Sequence, residues 1–343
     1  MSVQVRRDGG AGRIVLDRPR ALNALTHGML LEVRDTLLAW ADDDAVRTVV
    51  LTGAGERGLC AGADIRELHD DALAGGAGAR VFFADEYRLN HLISRYPKPY
   101  VAVMDGITMG GGVGLSGHGS VRVVTERSNV AMPETRIGLM PDVGGSRLLA
   151  LAPGGLGTHL ALTSGSMGPG DALLCGFADH FVPVAALESF TAALAGTDPA
   201  EALAAHAAEP PAAALAGHRG WIDHCYAPDT VEEILDRLDA AGEPAGPAPA
   251  AEIRAKSPTA LKVTLAALRR ARGHRSLGET LEQEYVISCA ALDSHDLVEG
   301  IRAQVVDKDR DPQWKPAALA DVTAEDVARF FVPTGDPLGL GPA

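Results

Sequence analysis

The chain has 343 residues, of which 46% are hydrophobic and 22% charged, with a formal net charge of −14. Length and composition point to a globular protein of one large domain or two, and the acidic balance excludes the overall electrostatic footprint of a nucleic-acid or anionic-membrane binder, leaving room only for a local basic pocket. Cys60, Cys175, Cys225 and Cys289 stand far apart with no C-x-x-C pair, which suggests reduced thiols, and without a leader pattern or about 18–20 consecutive apolar residues the expectation is a cytoplasmic protein.

In chain order, "RIVLDRP" reads as a strand stopped by Pro19. Met29, Leu30, Val33, Leu37 and Leu38 then recur at helical spacing behind a capping Thr26. "RTVVLTG" is a second strand, followed by the glycine-bearing loop "GAGERGLCAGADI". A helix around Val81 to Arg95 is ended by Pro97 and Pro99. "PYVAVM", "VRVVTE" and "NVAMPE" are further strands, and the alternation continues to "ADHFVP". This pattern predicts an α/β domain of repeated small units. Residues 193–216 and 240–251 are rich in Ala, Pro and Gly, the second stretch reading as an exposed connection. Helical periodicity follows, with Leu261, Leu265 and Leu268 on one face behind Ser257 and Pro258, and then from about Leu277 to Val305. The boundary falls near residue 200, giving a core over 1–200 and a helical region over 201–343.

Two motifs carry chemistry. "MDGITMGGGVGLSGHG", from Met104 to Gly119, holds seven glycines directly after a strand. Glycines at a strand-to-helix junction leave main-chain N–H groups open at the positive end of a helix dipole, which suits a phosphate cradle or an oxyanion hole. The dinucleotide option fits poorly, since the glycines come after three strands and no Walker lysine follows. Downstream, Glu134 and Asp142 stand eight residues apart in "AMPETRIGLMPDVGGSRL", each directly after a proline. Two acids near an oxyanion site are what proton-moving or water-activating chemistry needs. Asp307, Asp309 and Asp311 imitate the start of a calcium loop, but Pro312 and Ala318 break the pattern. That segment, the "DSHD" run from Asp293, His118 and His159 all read as structural, and no metal is expected.

"CAGADIREL", "GITMGGGVGLS", "MPETRIGLMPDVGG" and "LALTSG", taken in order, resemble the crotonase (enoyl-CoA hydratase/isomerase) superfamily. The acid pair and the tail "EGIRAQVVDKDRDPQWKP" are similar to the 3-hydroxyisobutyryl-CoA hydrolases within it. The resemblance covers roughly residues 10–320. It implies a crotonase-like spiral of repeated ββα units with a C-terminal helical region. It also implies an oxyanion hole from the main-chain N–H groups of Ala63 and Gly111, and a substrate contact at Glu86. Hydratases of the superfamily carry a glutamate two residues after the GGG triplet, where this chain has Gly114, and a glycine where it has Asp142. Loss of one acid and gain of the other imply hydrolysis of a short 3-hydroxyacyl-CoA thioester, with Glu134 and Asp142 as catalytic acids and Asp142 also contacting the substrate hydroxyl. The alternatives are a hydratase or isomerase of the same fold, and an acyl-CoA-binding protein without turnover. No cofactor is implied beyond the coenzyme A of the substrate. The superfamily commonly forms trimers or trimer pairs, so a trimer-based homo-oligomer is one expectation, and a C-terminal region folded back over that surface is the other.

Overall fold

Strands β1 (Val3–Asp8) and β2 (Ala11–Leu16) open the chain as an antiparallel hairpin, and the larger sheet continues from β2 with parallel pairings only. The computed structural model describes residues 2–242 and 245–340. Glu243 and Pro244, within the expected 240–251 connection, lie outside the described residues. From Ala248 to Arg254 that stretch is helical, with a proline in its first turn, where a missing N–H costs no hydrogen bond.

The remaining strands are β3 (Thr48–Gly53), β4 (Gly58–Cys60), β5 (Tyr100–Met104), β6 (Ile107–Met109), β7 (Val121–Val124), β8 (Asn129–Ala131), β9 (Ser166–Met167) and β10 (His180–Phe181). They form a sheet of order β1-β2-β3-β5-β7-β10 and a second of order β4-β6-β8-β9. The two orders reveal the repeat. In β3–β4, β5–β6 and β7–β8 the first strand enters the larger sheet and the second enters the smaller one. A helical segment follows each pair, at Ile65–Leu73, Gly111–Ser116 and Glu134–Ile137. Each repeat therefore moves one strand further along both sheets, which is the ββα unit implied by the family resemblance.

Contacts divide the chain into two compact units. The first comprises the chain up to Ala63, Arg88–Ala131 and Met167–Ala214; the second comprises Asp64–Tyr87, Met132–Ser166 and the chain from Leu215 onward. The first unit holds the larger sheet. Its core packs Val50, Val101 and Val123 from adjacent strands against Phe190 and Leu203 of later helices and Leu194 at the end of the first of them. Such continuous apolar strands fit a parallel sheet covered on its faces. The second unit is mainly helical, with Met140, Val263, Ala267 and Ile287 in contact and Val327, Phe330 and Phe331 packed against them. Two caps foreseen from sequence are made: Thr26 Oγ1 accepts from Met29 N at 3.3 Å and Ser257 Oγ from Ala260 N at 3.0 Å. Among the described residues no helix is long and apolar enough to cross a membrane.

Candidate active site

In the first unit, the segments bearing Ala63 and Gly111 come together. Strand β4 ends at Cys60, the chain turns through Gly62 at φ +103°, and Ala63 bridges to Leu25. Strand β6 ends at Met109, and Gly110 turns through φ 49° and ψ −122° to start the helix at Gly111. A side-chain carbon on Gly62 would sit 3.3 Å from Met109 O and 3.6 Å from Gly111 N, and one on Gly112 would sit 2.4 Å from Cys60 O. The glycines are required because backbone meets backbone here. As the first helical residue, Gly111 has an N–H with no acceptor inside its helix.

The second unit gathers the acids. Pro133 leads into a short 3-10 helix, Glu134–Ile137, closed by Gly138 at φ 76°. Its placement is fixed by glycine contacts with the helix His295–Ile301. A side-chain carbon on Gly138 would lie 2.4 Å from Asp296 O, and one on Gly300 would lie 2.5 Å from Ile137 O. Glu134 is only 7% exposed, and its Oε2 has no hydrogen-bonding partner. Asp142 sits before a sharp reversal in which Val143 and Gly144 both take positive φ, 52° and 80°. A β-branched residue in that region is strained by about 1–3 kcal/mol. The compensation comes from Glu284, whose carboxyl oxygens accept from Gly144 N at 2.6 Å, Ser146 N at 3.1 Å and Ser146 Oγ at 2.5 Å.

Asp142 accepts a 2.7 Å hydrogen bond from the Tyr87 hydroxyl, which also meets Ser288 Oγ at 2.8 Å. Glu86, beside Tyr87 on the helix Ala77–Ser94, is buried, and its Oε1 is likewise without a partner. Burial, and then the charge of Asp142, push both Glu86 and Glu134 well above the usual carboxylate range. Asp142 is pushed up to about 6 by burial, opposed by its bond from Tyr87. Burial also raises Glu284 to about 8. Four carboxyl groups therefore titrate as one interacting set, with Asp142 ionising most readily.

Glu86, Glu134 and Asp142, named from sequence, thus share one buried cluster, and Ala63 and Gly111 share one backbone junction. Sequence reading missed Tyr87, Glu284 and Ser288. One available signal was position: Leu281, Glu284 and Ser288 follow helical spacing on the helix Leu277–Leu292, so an acid and a hydroxyl stand in its buried stripe.

The segments read as structural have such partners. Asp307 and Asp309 are held by Arg302. Asp293 binds Arg80, Ser294 caps the next helix, and Asp296 accepts from Ser257 Oγ and Lys315 N. His159 lies edge-on to Trp221 and Tyr226, and burial lowers it to about 4.

The enoyl-CoA hydratase/isomerase family model matches residues 11–331. A curated relative, the mitochondrial 3-hydroxyisobutyryl-CoA hydrolase of Gallus gallus, is 40% identical over 97% of this chain and 89% of its own length. A solved structure of a carnitinyl-CoA dehydratase from Mycobacterium thermoresistibile is 54% identical, with a TM-score of 0.96 over 99% of this chain and 98% of that one. An enoyl-CoA hydratase from Rhodobacter sphaeroides is 43% identical, with a TM-score of 0.93 over 97% and 98%. Matched in sequence along nearly its whole length, and in fold by both solved structures, the chain belongs to the enoyl-CoA hydratase/isomerase, or crotonase, family.

Proposed function

We propose that this chain hydrolyses a short-chain 3-hydroxyacyl-CoA thioester, with 3-hydroxyisobutyryl-CoA as its substrate, releasing 3-hydroxyisobutyrate and coenzyme A in valine breakdown. The observation that carries the reading is the buried pair of Glu134 and Asp142, in which the charge of Asp142 adds to burial in raising Glu134, in a chain with Gly114 where hydratases carry their other glutamate. The names of the relatives differ: the chicken protein is called a hydrolase, and the two solved structures a dehydratase and a hydratase. Gly114 supports the first of these, because water addition across a double bond would lack one of its two acids.

On this reading the N–H groups of Ala63 and Gly111 receive the thioester oxygen as it gains negative charge, each such donor being worth about 2.7–4 kcal/mol in the transition state. Glu134 reacts in one of two ways. As a nucleophile it attacks the carbonyl carbon, the C–S bond breaks, and the mixed anhydride is then opened by water, restoring the carboxylate. As a base it takes a proton from the attacking water, and the thiolate leaves in the same sequence. Asp142 accepts a hydrogen bond from the substrate 3-hydroxyl, and Glu86 contacts the acyl group. No metal and no separate cofactor take part. We place the protein in the cytoplasm, since four separate free cysteines fit a reducing compartment; the word mitochondrial describes the chicken relative. A trimer-based homo-oligomer is the proposed assembly.

The test is incubation with 3-hydroxyisobutyryl-CoA and with crotonyl-CoA, following free thiol and loss of enoyl absorbance. Thiol release from the first is expected, and Glu134→Gln should slow it by about 10²- to 10⁴-fold. Enoyl loss without thiol release would favour the hydratase reading, and binding without either reaction would make the chain an acyl-CoA binder.

A further inference from the structure

A cavity of about 310 Å³ in the second unit is lined by Arg136, Glu252, Lys256, Gln304, Arg310 and Pro312. Three cations face one carboxylate there, in a chain whose overall charge is −14. The single acid does not satisfy them equally. Lys256, with its side chain 5% exposed, bonds Glu252 Oε2 at 2.9 Å and Glu252 O at 2.8 Å. Arg136 reaches the same carboxylate only at 3.9 Å. The Arg310 guanidinium has no hydrogen bond or ion pair among the described residues, and its backbone is held by a 3.1 Å bond from its N–H to Ala303 O. Burial, and also the nearby charge of Arg136, hold Lys256 below its usual range, while Lys256 and then Arg136 hold Glu252 low. Like charges gathered around a concavity, with too little counter-charge, are what an anion site looks like before its ligand arrives.

We infer that this cavity is a binding site for a phosphoryl dianion, held by Arg136, Lys256 and Arg310. The excess of two positive charges over Glu252 matches a dianion. Two planar guanidinium forks and one ammonium suit an oxygen-rich tetrahedral group better than a single planar carboxylate, which one arginine would satisfy. The volume lies at the small end of ligand pockets, enough for a phosphate with its immediate substituent. Two sources offer this chemistry: the 3′-phosphate of coenzyme A, or a separate phosphorylated small molecule. The site itself does not depend on the thioesterase reading, because phosphate binding is measured without turnover.

The experiment is calorimetric titration of the full chain with inorganic phosphate, coenzyme A and 3′-dephospho-coenzyme A. The variants are Arg310→Gly and Lys256→Gln, with Arg275→Ala as control, whose side chain is 93% exposed elsewhere. Arg310 has φ 58°, so glycine keeps its backbone while deleting the guanidinium. Phosphate should bind the parent and the control alike and bind Arg310→Gly about tenfold more weakly, the effect of losing one charge-assisted hydrogen bond. If coenzyme A supplies the phosphate, Arg310→Gly weakens coenzyme A but not its dephospho form. If a separate molecule does, both coenzyme A forms bind Arg310→Gly as they bind the parent, and phosphate binds the coenzyme A complex undiminished. Absence of phosphate binding to the parent, or equal phosphate affinity in the parent and a folded Arg310→Gly, overturns the site. Should Lys256→Gln fail to fold, Arg310→Glu provides the second measurement.

Discussion

The Tyr87 hydroxyl donates to Asp142 Oδ2 at 2.7 Å, so this buried carboxylate rests on a neutral phenol rather than on a cation. That choice keeps its pKa near 6. An arginine in the same place would hold the acid ionised at every working pH and leave it little sensitivity to its neighbours. Tyr87→Phe removes the one bond from a side chain that opposes burial, and Asp142 should titrate higher still. Urea unfolding should show a loss of about 1–3 kcal/mol, the usual cost of stranding a buried polar group. Ser288→Ala should cost less, because Asp142 keeps its donor. Equal losses would show that Ser288, not Asp142, is the partner that matters to Tyr87.

Asp142→Asn tests the coupling between the acids. After burial, the charge of Asp142 is the main cause raising Glu134, and asparagine still offers an oxygen to Tyr87. On the proposed mechanism Glu134 reacts in its ionised form, so kcat/KM should rise with pH as that group loses its proton. Neutralising residue 142 lowers the pKa of Glu134 and should move the rising limb to lower pH, even as the maximal rate falls. Profiles from about pH 5 to about pH 9 check this. The same variant should narrow the preference for 3-hydroxyisobutyryl-CoA over isobutyryl-CoA, a discrimination that a buried hydroxyl acceptor can carry to about 10⁴. An unmoved limb would show that Asp142 does not set the ionisation of Glu134.

Much of this arrangement could be read locally. The helix His27–Ala41 announces itself by its apolar spacing and its threonine cap, and the parallel strands by short apolar runs. Strand β1 escapes because "VQVRRD" buries only its first residue, so it has no apolar face to show. Strand β6 hides between glycines and is recognisable only once its parallel neighbours β4 and β8 are in place. The motif acids Glu134 and Asp142 stand within one short segment, whereas Tyr87 and Glu284 lie 55 and more than 100 residues from the groups they hold. No spacing rule connects such partners; only the fold brings them together.

Gly112 bears on the helix start rather than the acids. A side-chain carbon there would meet Cys60 O at 2.4 Å and Cys60 C at 3.1 Å, both backbone atoms that cannot swing aside. Gly112→Ala should therefore push the helix start away from the end of β4, at a cost of about 1–3 kcal/mol typical of overpacking. The displacement would carry the neighbouring Gly111 N–H with it. The expected result is a fall in kcat larger than any change in KM, measured on folded variant at low temperature. Gly168→Ala, where an added carbon meets nothing within 4 Å, is the matched control and should behave as the parent.

Glu284 makes the last prediction, about stability rather than rate. Its folded pKa of about 8 stands above the unfolded value of 4.5 because burial outweighs three hydrogen bonds that favour the charged form. Between those values the folded chain binds a proton that the unfolded chain has released, so this group's contribution is fully present below 4.5 and is lost as pH rises through about 8. Glu284→Gln removes that proton linkage, together with the smaller contribution by which the charge of Glu284 raises Glu134, while the other buried acids remain in both proteins. The stability of the parent minus that of the variant should therefore shrink steadily as pH rises from about 5 to about 8, read from urea midpoints at each pH. A difference that stays constant across this window would mean that Glu284 is ionised in the folded protein, with the turn behind Asp142 clamped by a charge.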